Sequence, residues 1–390
     1  MASSLVSETL VGAVCRFFCY EGGDGDASSD LSRLVFVFVF VFGECLVLSR
    51  VFLEQLFQKH NLEFLGVVRL GPEPTFAWFK EWLDQGFHAE MDFLKNYLER
   101  RQDPSTLIEG GIQALIFGLN YNQGDKLSEV LNGAPRIAQY ARLKDYHKSL
   151  KQRGELICDE LKKSHPSLNS RVMVDSAPLL ERALADRTAR GFIGKNTCFI
   201  HPEKGSLFLL SEILLDQAIF EIDEKVPVDR STRSSEGGCG SCKRCQVYCP
   251  TGALDQAYRL DARKCLAYWT IEHRGTIPEE FWPHVKTYIF GCDLCQLACP
   301  YNRAASKTLE ETILSAQMDL LEIASMTQAE YVRMFAGTPA TRAKRSGLRR
   351  NALIAMCESK DPRLDQALSA IVDEDEAVLH ETRAQIQRRT

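Results

Sequence analysis

Eight of the 14 cysteines lie between Cys239 and Cys299, and seven of them fall into two runs. The first reads Cys239-Gly-Ser-Cys242-Lys-Arg-Cys245-Gln-Val-Tyr-Cys249-Pro250, the second Cys292-Asp-Leu-Cys295-Gln-Leu-Ala-Cys299-Pro300. A C-x2-C-x2-C loop brings three thiolates to one iron–sulfur cube. The cysteine three residues further on, followed by proline, turns away to the other cube. The spacing assigns Cys239, Cys242, Cys245 and Cys299 to a first [4Fe–4S] cluster, and Cys249, Cys292 and Cys295 to a second. The cysteine expected three residues before Cys292 is missing, because Ile289 stands there; Cys265, between the runs, takes the eighth place. Zinc is the alternative for paired C-x2-C motifs, yet zinc sites rarely use three cysteines in such a row with a trailing Cys-Pro. Disulfides are a second alternative, but no secretory signal is recognisable and the other cysteines are scattered. A chain with two such clusters moves electrons.

The 390 residues are enough for two or three domains. The net charge of −5 gives no overall attraction to nucleic acid, so any RNA contact must come from a local basic patch. Residues 1–50 differ from the rest. Leu34 to Phe42 alternates Val and Phe behind an acidic Gly/Asp/Ser segment, too short for a membrane span and unlike a signal or transit peptide. We expect this extension to be disordered or aggregation-prone.

From Val51 the pattern becomes regular. Val51–Lys59, Thr75–Gln85, Phe87–Glu99, Tyr146–Lys163 and Pro178–Thr188 read as helices; in the fourth, Leu150, Leu156, Ile157 and Leu161 are expected inward. Leu65–Leu70, Ala114–Leu119, Val172–Val174 and Ser206–Leu215 read as strands. Alternating strands and helices predict an α+β or α/β domain over 51–225. Glu221–Gly238 reads as a linker. The cluster module follows within 226–305, and 306–390 is helical. There Leu348–Cys357, Asp361–Ile371 and a helix from Asp375 suggest HEAT-like repeats or, equally, a plain helical cap.

Several stretches resemble one family in chain order. These are Arg101-Gln-Asp-Pro104, Tyr140-Ala-Arg-Leu-Lys-Asp-Tyr-His147, Val174-Asp-Ser-Ala-Pro-Leu-Leu-Glu-Arg-Ala-Leu-Ala185, Gly191-Phe-Ile-Gly-Lys-Asn196, Cys265-Leu-Ala-Tyr-Trp-Thr-Ile-Glu272 and Arg349-Arg-Asn-Ala-Leu-Ile-Ala355. Together they resemble the epoxyqueuosine reductases, cobalamin-dependent iron–sulfur enzymes, over residues 51–390. The resemblance implies a nitroreductase-like cobalamin-binding domain, a two-cluster ferredoxin-like module and a C-terminal HEAT-like domain. It implies an oxidoreductase that reduces the epoxide of epoxyqueuosine at the tRNA wobble position, with electrons passing through two [4Fe–4S] clusters to cobalamin. Epoxide deoxygenation needs two electrons and protons, and no side chain is a strong enough reductant.

By the same resemblance Asp175 is the proton source, and Arg101, Tyr140, Asp175, Lys195 and Asn196 line the corrinoid pocket. On the residues alone, Asp175 is either a buried acid, its pKa raised by an apolar strand end, or the N-cap of the helix near Pro178. Asp145-Tyr-His147-Lys-Ser-Leu150 nearly matches a cobalt-binding Asp-x-His-x-x-Gly signature, but Leu150 replaces the glycine, so His147 reads as a structural or pocket-edge residue. Arg342, Lys344, Arg345, Arg349 and Arg350 form a basic run that could contact an anticodon stem, or be a solvated face. The expected partners are the tRNA anticodon stem-loop and an electron donor not identifiable from sequence, for a cytoplasmic monomer without membrane contact. The alternatives are another corrinoid reductase, dehalogenase-like, or a ferredoxin-type carrier.

Overall fold

The structure is a computed structural model that describes residues 40–42, 45–47, 49–225, 238–373 and 376–389. Most of the atypical first 50 residues and 226–237 of the expected linker lie outside these. Phe40–Phe42 and Cys45–Val47 pair as an antiparallel hairpin, where the sequence reading expects disorder; the period-two alternation is itself a strand pattern.

The first lobe runs α1 (Arg50–Lys59), β1 (Glu63–Arg69), α2 (Phe76–Asp84), β2 (Gln113–Asn120), α3 (Tyr146–Ser164), β3 (Ser170–Val174), α4 (Glu181–Arg187) and β4 (Phe208–Leu215). The sheet order is β1-β2-β4-β3, and every neighbouring pair is antiparallel. Both faces are covered. Leu53 and Phe57 of α1 and Leu150, Ile157 and Leu161 of α3 pack with Phe117 and Ile213 on one face. Leu184 and Ala185 of α4 pack with Val68, Ile116 and Leu214 on the other. That double burial explains why Ala114–Leu119 of β2 is a continuous apolar run rather than alternating.

Local chemistry sets the element ends. Ser49 caps α1 by accepting from the Phe52 amide, and Asp145 caps α3 by accepting from the His147 amide. The buried stripe of α3 passes through Gly154, where a Cβ would lie 2.6 Å from Val172 Cγ1, so the helix lies directly on β3. Leu156, expected inward, falls off that stripe and is 48% exposed. The single helix expected over Phe87–Glu99 is replaced by turns, a 3-10 helix at Asp92–Lys95 and a short helix at Leu98–Gln102, with Tyr97 left-handed between them (φ 56°). The helix expected from Pro178 begins later, at Glu181, behind Leu180.

The C-terminal part adds α5 (Leu320–Ser325), α6 (Gln328–Phe335), α7 (Lys344–Ser359), α8 (Leu364–Ser369) and α9 (Ala377–Arg389). Every residue of α7 from Gly347 to Met356 is buried. One core joins Leu353 and Phe335 of this region to Trp282 and Phe290 of the cluster segment and to Ile137 and Ala138. Arg136–Ile137 also pairs in parallel with Tyr288–Phe290. The expected boundary at residue 225 therefore does not separate two cores, because the stretch around 137 packs with the cluster segment and the helical cap.

Candidate active site

The two cysteine runs fold as short loops each containing one helical turn, Arg244–Val247 with Cys245 and Leu294–Leu297 with Cys295. Cys299 of the second run sits near Cys239, Cys242 and Cys245 of the first, and burial, followed by the sulfurs of Cys239, Cys198 and Cys242, raises its thiol to about 11. Cys265 lies near Cys249, Cys292 and Cys295. Eight thiols thus form two groups of four. Among the described residues no three His, Cys, Asp or Glu side chains gather tightly enough for a single ion. A tetrahedral zinc site would draw its ligands onto one point, whereas a cube spreads them over its corners. A ninth cysteine, Cys198, abuts Cys295.

Lys195 lies in the seam between the first lobe and the first run. Its ammonium donates to the carbonyls of Gly240 (2.5 Å) and Cys242 (2.9 Å), and its amide donates to Cys239 Sγ at 3.4 Å. Asn196 beside it is buried, and its Oδ1 accepts from the Cys198 amide. Neither residue is among those lining the large cavity; Lys195 braces the cluster loop, and Asn196 keeps a buried Nδ2 without a hydrogen-bond partner beside it.

That cavity, about 1430 Å³, opens between the first lobe, the cluster segment and the helical cap. It exceeds the 300–1,000 Å³ of sites for drug-sized ligands. Arg101, Tyr140 and Asp175 all line it, as do His147, Glu181, Gly291 and Cys292. Gly291 has φ +71°, and a Cβ there would meet Ala138 Cβ at 2.6 Å; only glycine permits the turn that brings Cys292 to the wall. A thiol of the second group therefore borders the cavity directly. Arg101 is buried and donates to the Leu179 carbonyl, while its Nε has no protein partner. The size, the unpartnered guanidinium nitrogen and the adjoining thiols fit a large polar macrocycle next to a cluster.

Asp175 ends β3 in a left-handed conformation (φ 45°), sparsely populated for a residue with a side chain. Its amide donates to Glu181 Oε1 at 2.8 Å. Its Oδ2 accepts from the Tyr146 hydroxyl at 2.7 Å and bonds His147 Nε2 at 2.9 Å. The N-cap alternative is excluded, since no side chain caps α4. The expected raised pKa is also corrected. The cavity walls desolvate Asp175 and push its pKa up, the largest single influence, but the bonds from His147 and Tyr146 and nearby positive charge together outweigh it and hold the carboxyl below its usual value. Water still reaches about half of the side chain (52%). His147 moves the other way, to about 9, chiefly through its bond to Asp175 and, against burial, with help from Asp145, whose Oδ1 is 2.7 Å from Nδ1. With both ring nitrogens engaged by carboxylates, His147 is no metal ligand. Behind it, burial keeps Glu181 protonated, helped by the nearby Asp175 charge, and fully buried Glu212 has no partner for either oxygen.

The basic run divides. Arg349 and Arg350 are 1% exposed. Arg350 Nη1 donates to the carbonyls of His273 (2.9 Å) and Gly275 (2.5 Å), and Nη2 to that of Trp269 (2.8 Å). Arg349 Nε donates to the Ala324 carbonyl at 2.7 Å. Arg350 thus holds the cap to the cluster segment, Arg349 ties helices together within the cap through Ala324 and Ala370, and neither is part of a surface patch. Arg342 and Lys344 instead line the cavity. Arg342 donates to Glu272 from Nε and Nη2, one edge of its guanidinium, and lies 5.3 Å over the Phe93 ring. Phe93 (45%) and Tyr97 (56%) expose their rings at the same mouth. Tyr146, Glu181, Phe93 and Tyr97 were not singled out from sequence; the only signal was an Asp-Tyr-His triplet and apolar residues in a segment that looked helical.

Residues 238–302 match the family described as "4Fe-4S double cluster binding domain", and residues 101–176 match "Epoxyqueuosine reductase QueG, DUF1730". The epoxyqueuosine reductase of Xanthomonas campestris is 35% identical over 305 residues, 76% of this chain and 82% of the relative. The chain belongs to the epoxyqueuosine reductase family. The enzyme of that name from Salmonella typhimurium is 35% identical over 282 residues, 70% of this chain and 71% of its own. Among solved structures, epoxyqueuosine reductase from Streptococcus thermophilus superposes with a TM-score of 0.75 at 25% identity, over 86% of this chain and 89% of that one. An epoxyqueuosine reductase crystallised with an epoxyqueuosine-modified tRNA-Tyr stem loop gives 0.73 at 25% identity, with the same coverage. Among the described residues no helix is long and apolar enough to cross a membrane.

Proposed function

We propose that this protein reduces the epoxide of epoxyqueuosine at the tRNA wobble position to queuosine. The observation that carries this reading is family membership joined to a large cavity whose wall includes Cys292 of the second thiol group. A dehalogenase or a simple electron carrier is not favoured by that membership, and a carrier has no use for such a cavity.

In this reading Cys239, Cys242, Cys245 and Cys299 hold one [4Fe–4S] cluster, and Cys249, Cys265, Cys292 and Cys295 hold the other, nearer the cavity. Cobalamin, when bound there, supplies the low-valent metal that drives reductive opening of the carbon–oxygen bond. The four-stranded lobe is the nitroreductase-like cobalamin-binding part, the cluster segment the ferredoxin-like module and the helices from Leu320 onward a HEAT-like cap, with the stretch around Ile137 built into the last two. Arg101 and Tyr140 contact the corrinoid, with Lys195 and Asn196 supporting the seam behind it. Asp175 hands a proton to the departing oxygen. Phe93 and Tyr97 offer faces for a base splayed out of the anticodon loop, and Arg342 and Lys344 offer charges for its phosphates.

The test is anaerobic incubation of the reconstituted protein with cobalamin, a low-potential reductant and epoxyqueuosine-containing tRNA, followed by nucleoside mass analysis. Loss of one oxygen from the modified nucleoside, dependent on cobalamin, is the expected result. Unchanged epoxyqueuosine with both clusters intact and cobalamin bound would remove this substrate.

A further inference from the structure

We propose that His147 is the proton-supplying partner of Asp175, refilling its carboxyl from solvent each time a proton passes to the departing epoxide oxygen. This rests on the assignment of Asp175 as the acid.

The geometry builds a directed path. Asp145 accepts from the His147 amide at 3.0 Å and holds Nδ1 at 2.7 Å, so one carboxylate fixes both the first turn of α3 and the ring. The Tyr146 ring stacks on the imidazole at 4.3 Å between centroids. Nε2 is thereby aimed at Asp175 Oδ2, 2.9 Å away. The Tyr146 hydroxyl reaches the same oxygen. The His147 side chain is 39% exposed and lines the cavity, so water in the open chamber reaches the ring. An ionised Asp175 alone has no proton to give; an imidazolium bonded to it does.

The charged and titratable groups around the pair come from every neighbouring element. Asp145, Tyr146 and His147 lie on α3 and its cap. Tyr140 lies on the preceding 3-10 helix, Glu181 and Arg182 on α4, and Glu272 and Arg342 across the cavity. Asp145 and Asp175 favour the imidazolium, and their bonds outweigh its burial, so it persists to about pH 9.

The balance is simple. The epoxide oxygen leaves as water, taking two protons and two electrons, the electrons from an external low-potential one-electron reductant. For each proton the His147 Nε2–H bond breaks and an Asp175 Oδ2–H bond forms. Rotation of the carboxyl then presents that hydrogen to the oxygen, and water reprotonates Nε2.

The experiment compares wild type, H147Q, H147A and D175N, all reconstituted with clusters and cobalamin. Two measurements are independent of turnover: cobalamin affinity by titration, and the His147 titration midpoint by hydrogen exchange at the ring C2 position read by mass spectrometry. We expect a midpoint near 9 in wild type, falling towards the ordinary histidine value in D175N, with unchanged cobalamin affinity in H147Q. Single-turnover rate should fall on the order of 10²-fold in H147Q, as loss of a general acid–base partner does. The decline of rate above about pH 9 should vanish in H147Q, and added imidazole should restore part of the H147A rate. An ordinary midpoint in wild type, or an H147Q rate and alkaline limb matching wild type while D175N is inactive, overturns the relay and leaves the acid standing. Wild-type turnover in D175N removes both.

Discussion

Replacing Arg350 by methionine isolates what the buried half of the basic run does. The methionine fills the aliphatic volume and removes the donors to the carbonyls of Trp269, His273 and Gly275. Stripping buried acceptors of their donors costs about 1–3 kcal/mol each. Against that, a cation no longer has to be desolvated, which returns several kcal/mol; burial of Arg350 is strong enough to pull its pKa down to about 9. The net expectation is a loss of about 3 kcal/mol. With an unfolding entropy of about 2.1 cal/mol/K per residue over the roughly 330 described residues, 1 kcal/mol moves Tm by about 1.4 °C. R350M should therefore lower Tm by about 4 °C, measured on cluster-loaded protein at one scan rate. Arg342 is the internal control. Its pair with Glu272 is half exposed, so R342A should cost about 1 kcal/mol or less. The two should exchange places in tRNA binding. R342A should reduce the slope of log affinity against log salt by about 1, whereas R350M should leave it unchanged. Equal Tm values for R350M and wild type, or a salt slope altered by R350M as much as by R342A, would refute the division of the run into buried clamp and cavity-mouth charge.

Three further outcomes are expected. Anaerobic reconstitution should give about eight irons and eight sulfides per chain; C265S should degrade one cluster's EPR signal and spare the other, and loss of both or neither would reject the grouping. The raised folded-state pKa of His147 means its pairing with Asp175 contributes stability present below about pH 6.5 and lost as pH rises through about 9. D175N should thus lower Tm more at about pH 6 than at about pH 10, by a small amount because both groups are partly solvated; the opposite order would contradict the assigned charges. G291A puts a methyl group against Ala138 at positive φ and should cost more than about 1 kcal/mol and perturb the cavity-side cluster. A normal Tm and spectrum would remove the turn as a determinant.

Strands β1 to β4 and helices α1 and α3 were legible because their apolar spacing serves a core. The reading failed where apolar or charged residues serve something else. Phe93 and Tyr97 gave Phe87–Glu99 a helical look, yet both rings face the cavity mouth. Arg349 and Arg350 look like a solvated face until the carbonyls of Ala324, Trp269, His273 and Gly275, distant in sequence, are brought to them. For Asp175 the strand context spoke for a raised pKa; the donors that reverse it come from Tyr146 and His147, 29 and 28 residues earlier. The expected grouping of seven of the cysteines comes from spacing, because a loop of fixed length has few ways to wrap a cube, whereas Cys265 is assigned by the gap at Ile289. Cys198 carried no such pattern.

The shared core that ties Ile137 and Ala138 to Trp282, Phe290 and Leu353 has a consequence for how such a chain can be dissected. No cut near residue 225 frees a self-sufficient redox cartridge, since the excised piece would bare the apolar flank that the stretch around 137 covers. Electron delivery and the chamber it feeds are thus built as one block, and changes to either must be accommodated by the other.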